Sequence, residues 1–150
     1  MLKRAFFTMN DVDRVLLDTH ALIWLAEGSL TGDTFELLSR IGRQNGLLIS
    51  AVTGWELGLL AFPKRGPARI KLPPTIAEWF RRILSASAFK EVPLTARAAF
   101  SAATLPNWSH ADPADRLLVA VARELDVPLV TRDREILAYA EAGHAKAIAC

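Results

Sequence analysis

Cysteine is almost absent from this sequence of 150 residues, which also lacks long apolar runs and a large excess of one charge. Because Cys150 is the single cysteine, the chain forms no internal disulfide and no cysteine-based metal site. No apolar run approaches the roughly 20 residues needed to cross a bilayer, and the first residues lack the apolar core of a signal peptide. We therefore expect a cytoplasmic protein that has no membrane partner.

The charge is nearly balanced, with 18 Lys and Arg residues against 16 Asp and Glu residues and a formal net charge of +2. This balance permits a polyanionic partner without requiring one. Basic residues cluster within 64–71, 81–82 and 132–134, and a solvated surface explains each cluster taken alone. The length suits one domain, which we place at residues 14–150, after a poorly ordered lead-in at residues 1–13.

Short apolar segments alternate along the chain with segments that have the spacing of amphipathic helices. Strands are predicted at 15–17, 47–50, 89–92, 128–131 and 146–149. Helices are predicted at 19–27, 31–46, 51–61, 76–87, 96–103, 113–125 and 133–142. A proline-rich, basic loop at 62–74 separates the third helix from the fourth. Such alternation is typical of an α/β fold with a parallel sheet and helices on both of its faces.

Several of these helices begin with residues that commonly cap helix N-termini. The predicted caps are Thr31 or Asp33, Ser50, Thr75, Thr95 and Asp112, and Gly28 and Gly46 are predicted to end the first two helices. The pair Asp112 and Pro113 is a strong signal, because a capping acid is followed by a proline in the first turn.

Four acidic residues fall near the predicted carboxyl ends of the strands. Asp18 directly follows the first strand, and Asp133 comes two residues after the fourth. Glu56 lies early in the helix after the second strand, and Asp115 lies in the first turn of the helix that begins at Pro113. Since sites in open parallel sheets form outside the carboxyl ends of the strands, we expect the four carboxylates to lie close together.

Carboxylates packed together raise each other's pKa and resist ionisation unless a cation neutralises them. Mg²⁺ and Mn²⁺ prefer carboxylate and water oxygens, and such an ion can activate water and stabilise the charge that develops on a phosphoryl group. A zinc site is disfavoured, because the sequence has no cysteine cluster and no HExxH motif. The sequence therefore predicts a site for Mg²⁺ or Mn²⁺.

The sequence resembles the PIN-domain ribonucleases, and among them the VapC-type toxins of bacterial toxin–antitoxin pairs, in four segments, VLLDTHALIWL, ISAVTGWELGLL, DPADRLLVAVA and LVTRD. The resemblance covers residues 14–150. It implies a three-layer α/β/α fold with a central parallel sheet and Mg²⁺- or Mn²⁺-dependent endonucleolytic cleavage of RNA. It also implies an antitoxin that blocks the site, a homodimer, and contact with operator DNA only through the antitoxin. The lead-in at 1–13 and the loop at 62–74 depart from the usual pattern.

By this resemblance, the catalytic set falls on Asp18, Glu56, Asp115 and Asp133. Asp18 and Asp115 would be metal ligands, and Asp133 would bind or support the metal directly or through water. Glu56 would hold a water at the metal or help to activate the attacking one. The hydroxyl groups of two supporting residues, Thr19 and Thr131, match family positions that lie near the site.

Other residues near these motifs have simpler structural explanations. Asp112 fits a helix cap, although a supporting role stays open, and Arg116 is expected to pair with an acid such as Asp112 rather than with phosphate. His20 and His110 are expected to pack or to lie on the polar surface. Trp108, in the loop before the site helix, is the one aromatic residue that we single out for stacking on RNA.

Two alternatives to a nuclease stay open. One is a PIN-like module that binds RNA without catalysis, which retention of all four acids disfavours. The other is a phosphatase with an aspartyl nucleophile, which is disfavoured because His20 stands where a DxD pattern needs its second acid. A dinucleotide-binding domain has little support, since no GxGxxG follows a predicted strand.

Overall fold

Five parallel strands form a single sheet in the computed structural model, which describes residues 7–62, 66 and 75–150. The strands are β1 (Val15–Leu17), β2 (Leu47–Ser50), β3 (Phe89–Val92), β4 (Leu129–Thr131) and β5 (Ala147–Ala149). They lie in the order β3-β2-β1-β4-β5, and every neighbouring pair is parallel. The carboxyl ends of all five strands therefore share one edge of the sheet.

Seven helices accompany these strands in the described part of the chain. They are α1 (Thr19–Glu27), α2 (Gly32–Gly42), α3 (Ala51–Ala61), α4 (Ile76–Ser85), α5 (Ala96–Ala103), α6 (Pro113–Leu125) and α7 (Arg134–Glu141). None of the helices in residues 7–62 and 75–150 has the length and apolar character needed to span a membrane. The alternation of strands and helices that the sequence predicts is confirmed.

The sheet separates two apolar layers, as the alternating side chains of β1 show. Val15 and Leu17 are fully buried among side chains from α1, α2 and α4, whereas Leu16 is fully buried among side chains from α5, α6 and α7. α3 contributes Leu57 to the first layer and Val52 to the second. Because both faces of the sheet are covered, β1, β2 and β4 are buried along their whole length and largely apolar, whereas the edge strand β3 has exposed residues. The predicted three-layer α/β/α fold is confirmed.

The predicted helix boundaries are mostly confirmed, with one clear error. Ser50, Thr75, Thr95 and Asp112 each accept a hydrogen bond from a backbone N–H of the helix that they precede, and Gly28 ends α1 with φ of 74°. The second helix ends at Gly42 and not at Gly46. The chain turns there because Asn45 takes a left-handed φ of 56° and the Gly46 N–H donates to the Ile41 carbonyl oxygen.

Part of the predicted lead-in packs against the domain. Met9–Asp11 form a short 3-10 helix, and Val12 is buried. The guanidinium of Arg40 donates to the backbone oxygens of Met9 and Val12 at 2.9 and 3.1 Å. Ordered contacts therefore begin before residue 14, while residues 1–6 lie outside the described residues, and so do 63–65 and 67–74 of the predicted basic loop.

Gly46→Ala is expected to destabilise the fold, because the new Cβ would lie 2.2 Å from the Asp13 carbonyl oxygen and 2.6 Å from Ile41 Cγ2. Relief requires the backbone to shift, so we expect the free energy of unfolding to fall by about 1–3 kcal/mol in urea denaturation. The matched control is Gly58→Ala in α3, where no atom lies within 4 Å of the new Cβ. That control should gain about 0.5–1 kcal/mol. Equal stability of Gly46→Ala and the parent would contradict this packing.

Candidate active site at the carboxyl edge of the sheet

The carboxyl edge of the sheet carries all four acids that the sequence singles out. Asp18 follows β1 and caps α1, and Asp133 follows β4 and caps α7. Glu56 lies in the second turn of α3, and Asp115 lies in the first turn of α6. Each lies within electrostatic reach of another: Asp18 of Asp133, Glu56 of Asp115, and Asp115 of Asp133. The fold thus brings four separate segments together at one place.

Asp18 is a buried acid whose position is fixed by hydrogen bonds. Its backbone N–H donates to the Val130 oxygen of β4 at 3.1 Å, and its Oδ1 accepts from the Ala21 N–H at 2.6 Å. Burial raises the pKa of Asp18, while hydrogen bonds from the Thr131 hydroxyl and the Ala21 amide hold the rise back and the charge of Asp133 adds to it. Asp18 is therefore a carboxylate that a cation would stabilise.

The supporting threonines bond to members of the acidic set. The Thr19 hydroxyl donates to Glu56 Oε1 at 2.6 Å and joins the beginnings of α1 and α3. Burial raises the pKa of Glu56, Thr19 lowers it, and the nearby charge of Asp115 raises it again. The fully buried Thr131 hydroxyl accepts from the Asp133 N–H at 3.0 Å. Both hydroxyls thus lie at the site.

His110 lies among the acids, a position that the expected packing or polar-surface role did not include. Its Nε2 is 2.7 Å from Asp115 Oδ2 and 3.8 Å from Asp133 Oδ2, and its Nδ1 is 2.6 Å from Glu135 Oε2. Burial lowers the pKa of His110, but the hydrogen bond to Asp115 and the three negative charges raise it to a net value above the ordinary one. Sequence spacing gave little sign of this, because Glu135 belongs to a distant helix.

Asp115 has the most strongly raised pKa that the site shows. Burial, together with the charges of Asp112 and Asp133, raises the pKa of Asp115 to about 6, although the hydrogen bond and charge of His110 oppose the rise. Burial and the neighbouring negative charges therefore disfavour the ionised form of Asp115, and a bound cation would offset this effect.

Asp112 and Arg116 do not form an ion pair: Asp112 caps α6, and Arg116 contacts the loop that carries His110. Asp112 Oδ1 accepts from the Ala114 and Asp115 N–H groups at 2.8 and 3.4 Å, which confirms the predicted cap. The expected pair between Asp112 and Arg116 is wrong, because Arg116 Nη2 donates instead to the His110 backbone oxygen at 3.5 Å. The buried Nε of Arg116 has no hydrogen-bond partner among residues 7–62, 66 and 75–150.

Trp108 is engaged within the protein, which weakens its proposed role in stacking on RNA. Its indole Nε1 donates to the His110 backbone oxygen at 2.8 Å. Its ring meets Tyr139 edge-on, with ring centroids 4.9 Å apart. Tyr139 in turn donates to the Pro106 oxygen at 2.8 Å, so these contacts hold the loop that carries His110.

The donor set fits a divalent cation. One ligand atom from each of His110, Asp115 and Asp133 lies within 4.8 Å of the other two. The buried Asp18 is not part of that cluster but lies within electrostatic reach of Asp133. Carboxylate oxygens are what Mg²⁺ and Mn²⁺ prefer. A cation would also offset the burial and mutual repulsion that raise the pKa values of Asp18, Glu56 and Asp115.

Comparison with known proteins gives a consistent result. The family model described as PIN domain matches residues 15–142. The chain is 32% identical to ribonuclease VapC22 of Mycobacterium tuberculosis over 126 residues, which cover 83% of this chain and 91% of that protein.

Similar solved structures include VapBC2 from Rickettsia felis bound to a DNA fragment from the promoter, with a TM-score of 0.64 at 14% identity. They also include DNA-bound VapBC from Salmonella typhimurium, with a TM-score of 0.63 at 16% identity. The first covers 90% of this chain and 97% of its own, and the second covers 91% and 97%. At these identities the structural likeness shows the fold.

Asp115→Asn is expected to stabilise the metal-free protein above neutral pH. The folded protein holds the proton of Asp115 up to a pKa of about 6, whereas the ordinary value is 3.8. The stability from this carboxyl is therefore present below about pH 4 and is lost as the pH rises through about 6. The variant removes that loss, and we expect a gain of about 1–3 kcal/mol at about pH 7.5 and a smaller one at about pH 5.

The measurement is chemical denaturation in EDTA at the two pH values. The matched control is Glu141→Gln, which neutralises an exposed acid at the end of α7 and should change stability by less than about 0.5 kcal/mol. A loss of stability in Asp115→Asn at the higher pH would show that the ionised form of Asp115 does not destabilise the folded protein.

Proposed function

Because the chain belongs to the PIN domain family and is a relative of the VapC ribonucleases, we propose that it is a metal-dependent endoribonuclease and the toxin of a toxin–antitoxin pair. One observation carries the proposal: Asp18, Glu56, Asp115 and Asp133, from four separate segments, meet at the carboxyl edge of a parallel sheet. This is the edge at which α/β folds of this kind place their ligands.

In this proposal, Asp18, Asp115 and Asp133 hold Mg²⁺ or Mn²⁺. When bound, the cation lowers the pKa of water and stabilises the negative charge that develops on a phosphodiester as it is cleaved. In both Asp18 and Asp133, one carboxylate oxygen, Oδ1, accepts the hydrogen bonds that cap a helix. The caps therefore fix both carboxylates while leaving Oδ2 of each out of the capping hydrogen bonds.

Glu56 is proposed to act on the attacking water. Burial raises its pKa, and its Oε1 accepts from the Thr19 hydroxyl at 2.6 Å. A carboxylate with a raised pKa is a better proton acceptor than an ordinary one. Glu56 would take the proton of the water that attacks phosphorus, and Thr19 would hold the carboxylate in position for that transfer.

Loss of charge at a metal-holding acid is expected to abolish cleavage without unfolding the chain. Asp18→Asn and Asp115→Asn should each lower the rate of Mg²⁺- or Mn²⁺-dependent cleavage of structured RNA by about 100-fold or more. An asparagine oxygen can still cap α1, so Asp18→Asn should keep the fold. Glu141→Gln, on the exposed end of α7, is the matched control and should cleave as the parent does.

Each other outcome of this assay contradicts the proposed catalysis. RNA that is retained but never cut would indicate a PIN-like binding module. Phosphate release from small esters through an aspartyl intermediate would indicate a phosphatase. Undiminished cleavage in EDTA would exclude dependence on a metal.

An exposed apolar strip on α3 supports an antitoxin partner. Trp55, Leu59 and Phe62 are 53%, 46% and 71% exposed. The spacing of Trp55 and Leu59 places them on one side of the helix that carries Glu56, and Phe62 directly follows the end of that helix. Exposed apolar patches of this kind mark protein interfaces. We propose that the antitoxin covers this strip and so closes the neighbouring site. The homodimer, and contact with operator DNA through the antitoxin, belong to the same proposal.

Leu59→Glu is expected to separate toxicity from neutralisation. Expression of the parent chain alone should arrest bacterial growth, and co-expression of the small protein from the neighbouring gene should restore it. The variant places a charge in the strip, so it should stay toxic while rescue fails. Phe100→Glu, on α5 at a residue that is 74% exposed, is the control and should still be rescued. Full rescue of Leu59→Glu would exclude this strip as the antitoxin surface.

A further inference from the structure

We propose that His110 is a nitrogen ligand of the divalent cation and that it shifts the selectivity of the site toward Mn²⁺ over Mg²⁺. The inference rests on the proposed function, because it concerns the same cation. It adds a ligand of different chemistry to a site otherwise made of oxygen donors. Imidazole nitrogen suits first-row transition ions, whereas Mg²⁺ is held almost entirely by oxygen.

The distances around Nε2 of His110 are those of neighbouring ligands. In an octahedral site with bonds of about 2.1 Å, adjacent ligand atoms lie about 3 Å apart and opposite ones about 4.2 Å apart. Nε2 lies 2.7 Å from Asp115 Oδ2 and 3.8 Å from Asp133 Oδ2. Both distances lie within a few tenths of an ångström of these values, and one ligand atom of each residue lies within 4.8 Å of the other two, so the three residues can face one cation.

The second ring nitrogen of His110 supplies an independent observation. Nδ1 lies 2.6 Å from Glu135 Oε2. Metal-binding histidines almost always donate their other N–H to a carboxylate, a carbonyl or a water, which fixes the tautomer and makes the ligand nitrogen more basic. With the proton on Nδ1, the lone pair of Nε2 is free to bind a cation, and Asp115 Oδ2 and Asp133 Oδ2 lie 2.7 and 3.8 Å from that nitrogen.

The loop that carries His110 is braced in this position. The His110 backbone oxygen accepts from Trp108 Nε1 at 2.8 Å and from Arg116 Nη2 at 3.5 Å. Tyr139 donates to the Pro106 oxygen at 2.8 Å and ties the loop to α7, the helix that also carries Glu135. The loop is therefore already ordered, and cation binding would have to order it little further.

The competing explanation treats His110 as a positive charge that only balances the acids. In that case the imidazolium and the cation would compete for Asp115, and removal of the ring would strengthen cation binding. If His110 is a ligand, removal of the ring weakens cation binding. The two explanations therefore predict changes of opposite sign.

The deciding experiment is pulsed EPR of Mn²⁺ bound to the full chain, combined with calorimetric titration of Mn²⁺ and of Mg²⁺. The parent should show modulation from a directly bound ¹⁴N that changes when histidine is labelled with ¹⁵N. His110→Gln should lose it and should bind Mn²⁺ about 10- to 100-fold more weakly, with a smaller loss for Mg²⁺. His20→Gln, at an exposed histidine, is the matched control for the nitrogen signal and should keep the modulation.

Glu135→Ala gives a second test that leaves His110 in place. The nitrogen modulation should remain, and affinity for Mn²⁺ should fall about 10-fold. Mn²⁺ bound without nitrogen modulation, or bound more tightly by His110→Gln, would overturn the inference while leaving the carboxylate site of the proposed function intact. If the parent chain binds no Mn²⁺ and cleaves no RNA, both the inference about His110 and the proposed function are contradicted.

Discussion

The confinement of several carboxylates at one edge of the sheet is the interaction on which the rest of the site depends. Burial raises the pKa values of Asp18, Glu56 and Asp115, so their ionised forms are disfavoured where the fold holds them. Helix N-termini relieve part of this strain, since their free N–H groups and dipoles favour negative charge. Asp18 and Asp133 accept these N–H groups through Oδ1 alone, and the remaining repulsion is what a bound cation would offset.

The parallel sheet brings the acidic residues to one edge, and the two apolar layers hold the strands that carry them in place. β1 and β4 are neighbours, so the residues that follow them emerge side by side. Fully buried side chains on both faces, such as Leu16 and Leu17, hold these strands in place. Segments that are far apart in the chain therefore present charged groups at one edge, where ligand atoms of His110, Asp115 and Asp133 lie within 4.8 Å of one another.

Much of this arrangement follows from local sequence signals, and the remainder depends on tertiary contacts. Apolar strands, amphipathic helices and caps such as Asp112 are short-range features, so the fold class and most boundaries could be predicted. The end of α2 could not, because Gly46 is needed where the backbone passes close to Asp13, and that approach is invisible in the sequence. His110 was missed for the same reason: its ring contacts Glu135 of α7, and its loop is held by Tyr139 of the same helix through Trp108 and Pro106.

Diffraction from crystals grown with Mn²⁺, recorded for its anomalous signal, tests the central claim most directly. The account predicts one strong anomalous peak about 2–2.5 Å from carboxylate oxygens of Asp115 and Asp133, with Asp18 close enough to bind directly or through one water. The absence of a peak at this edge of the sheet at saturating Mn²⁺, or a peak bound only elsewhere, would show that these acids do not share a cation.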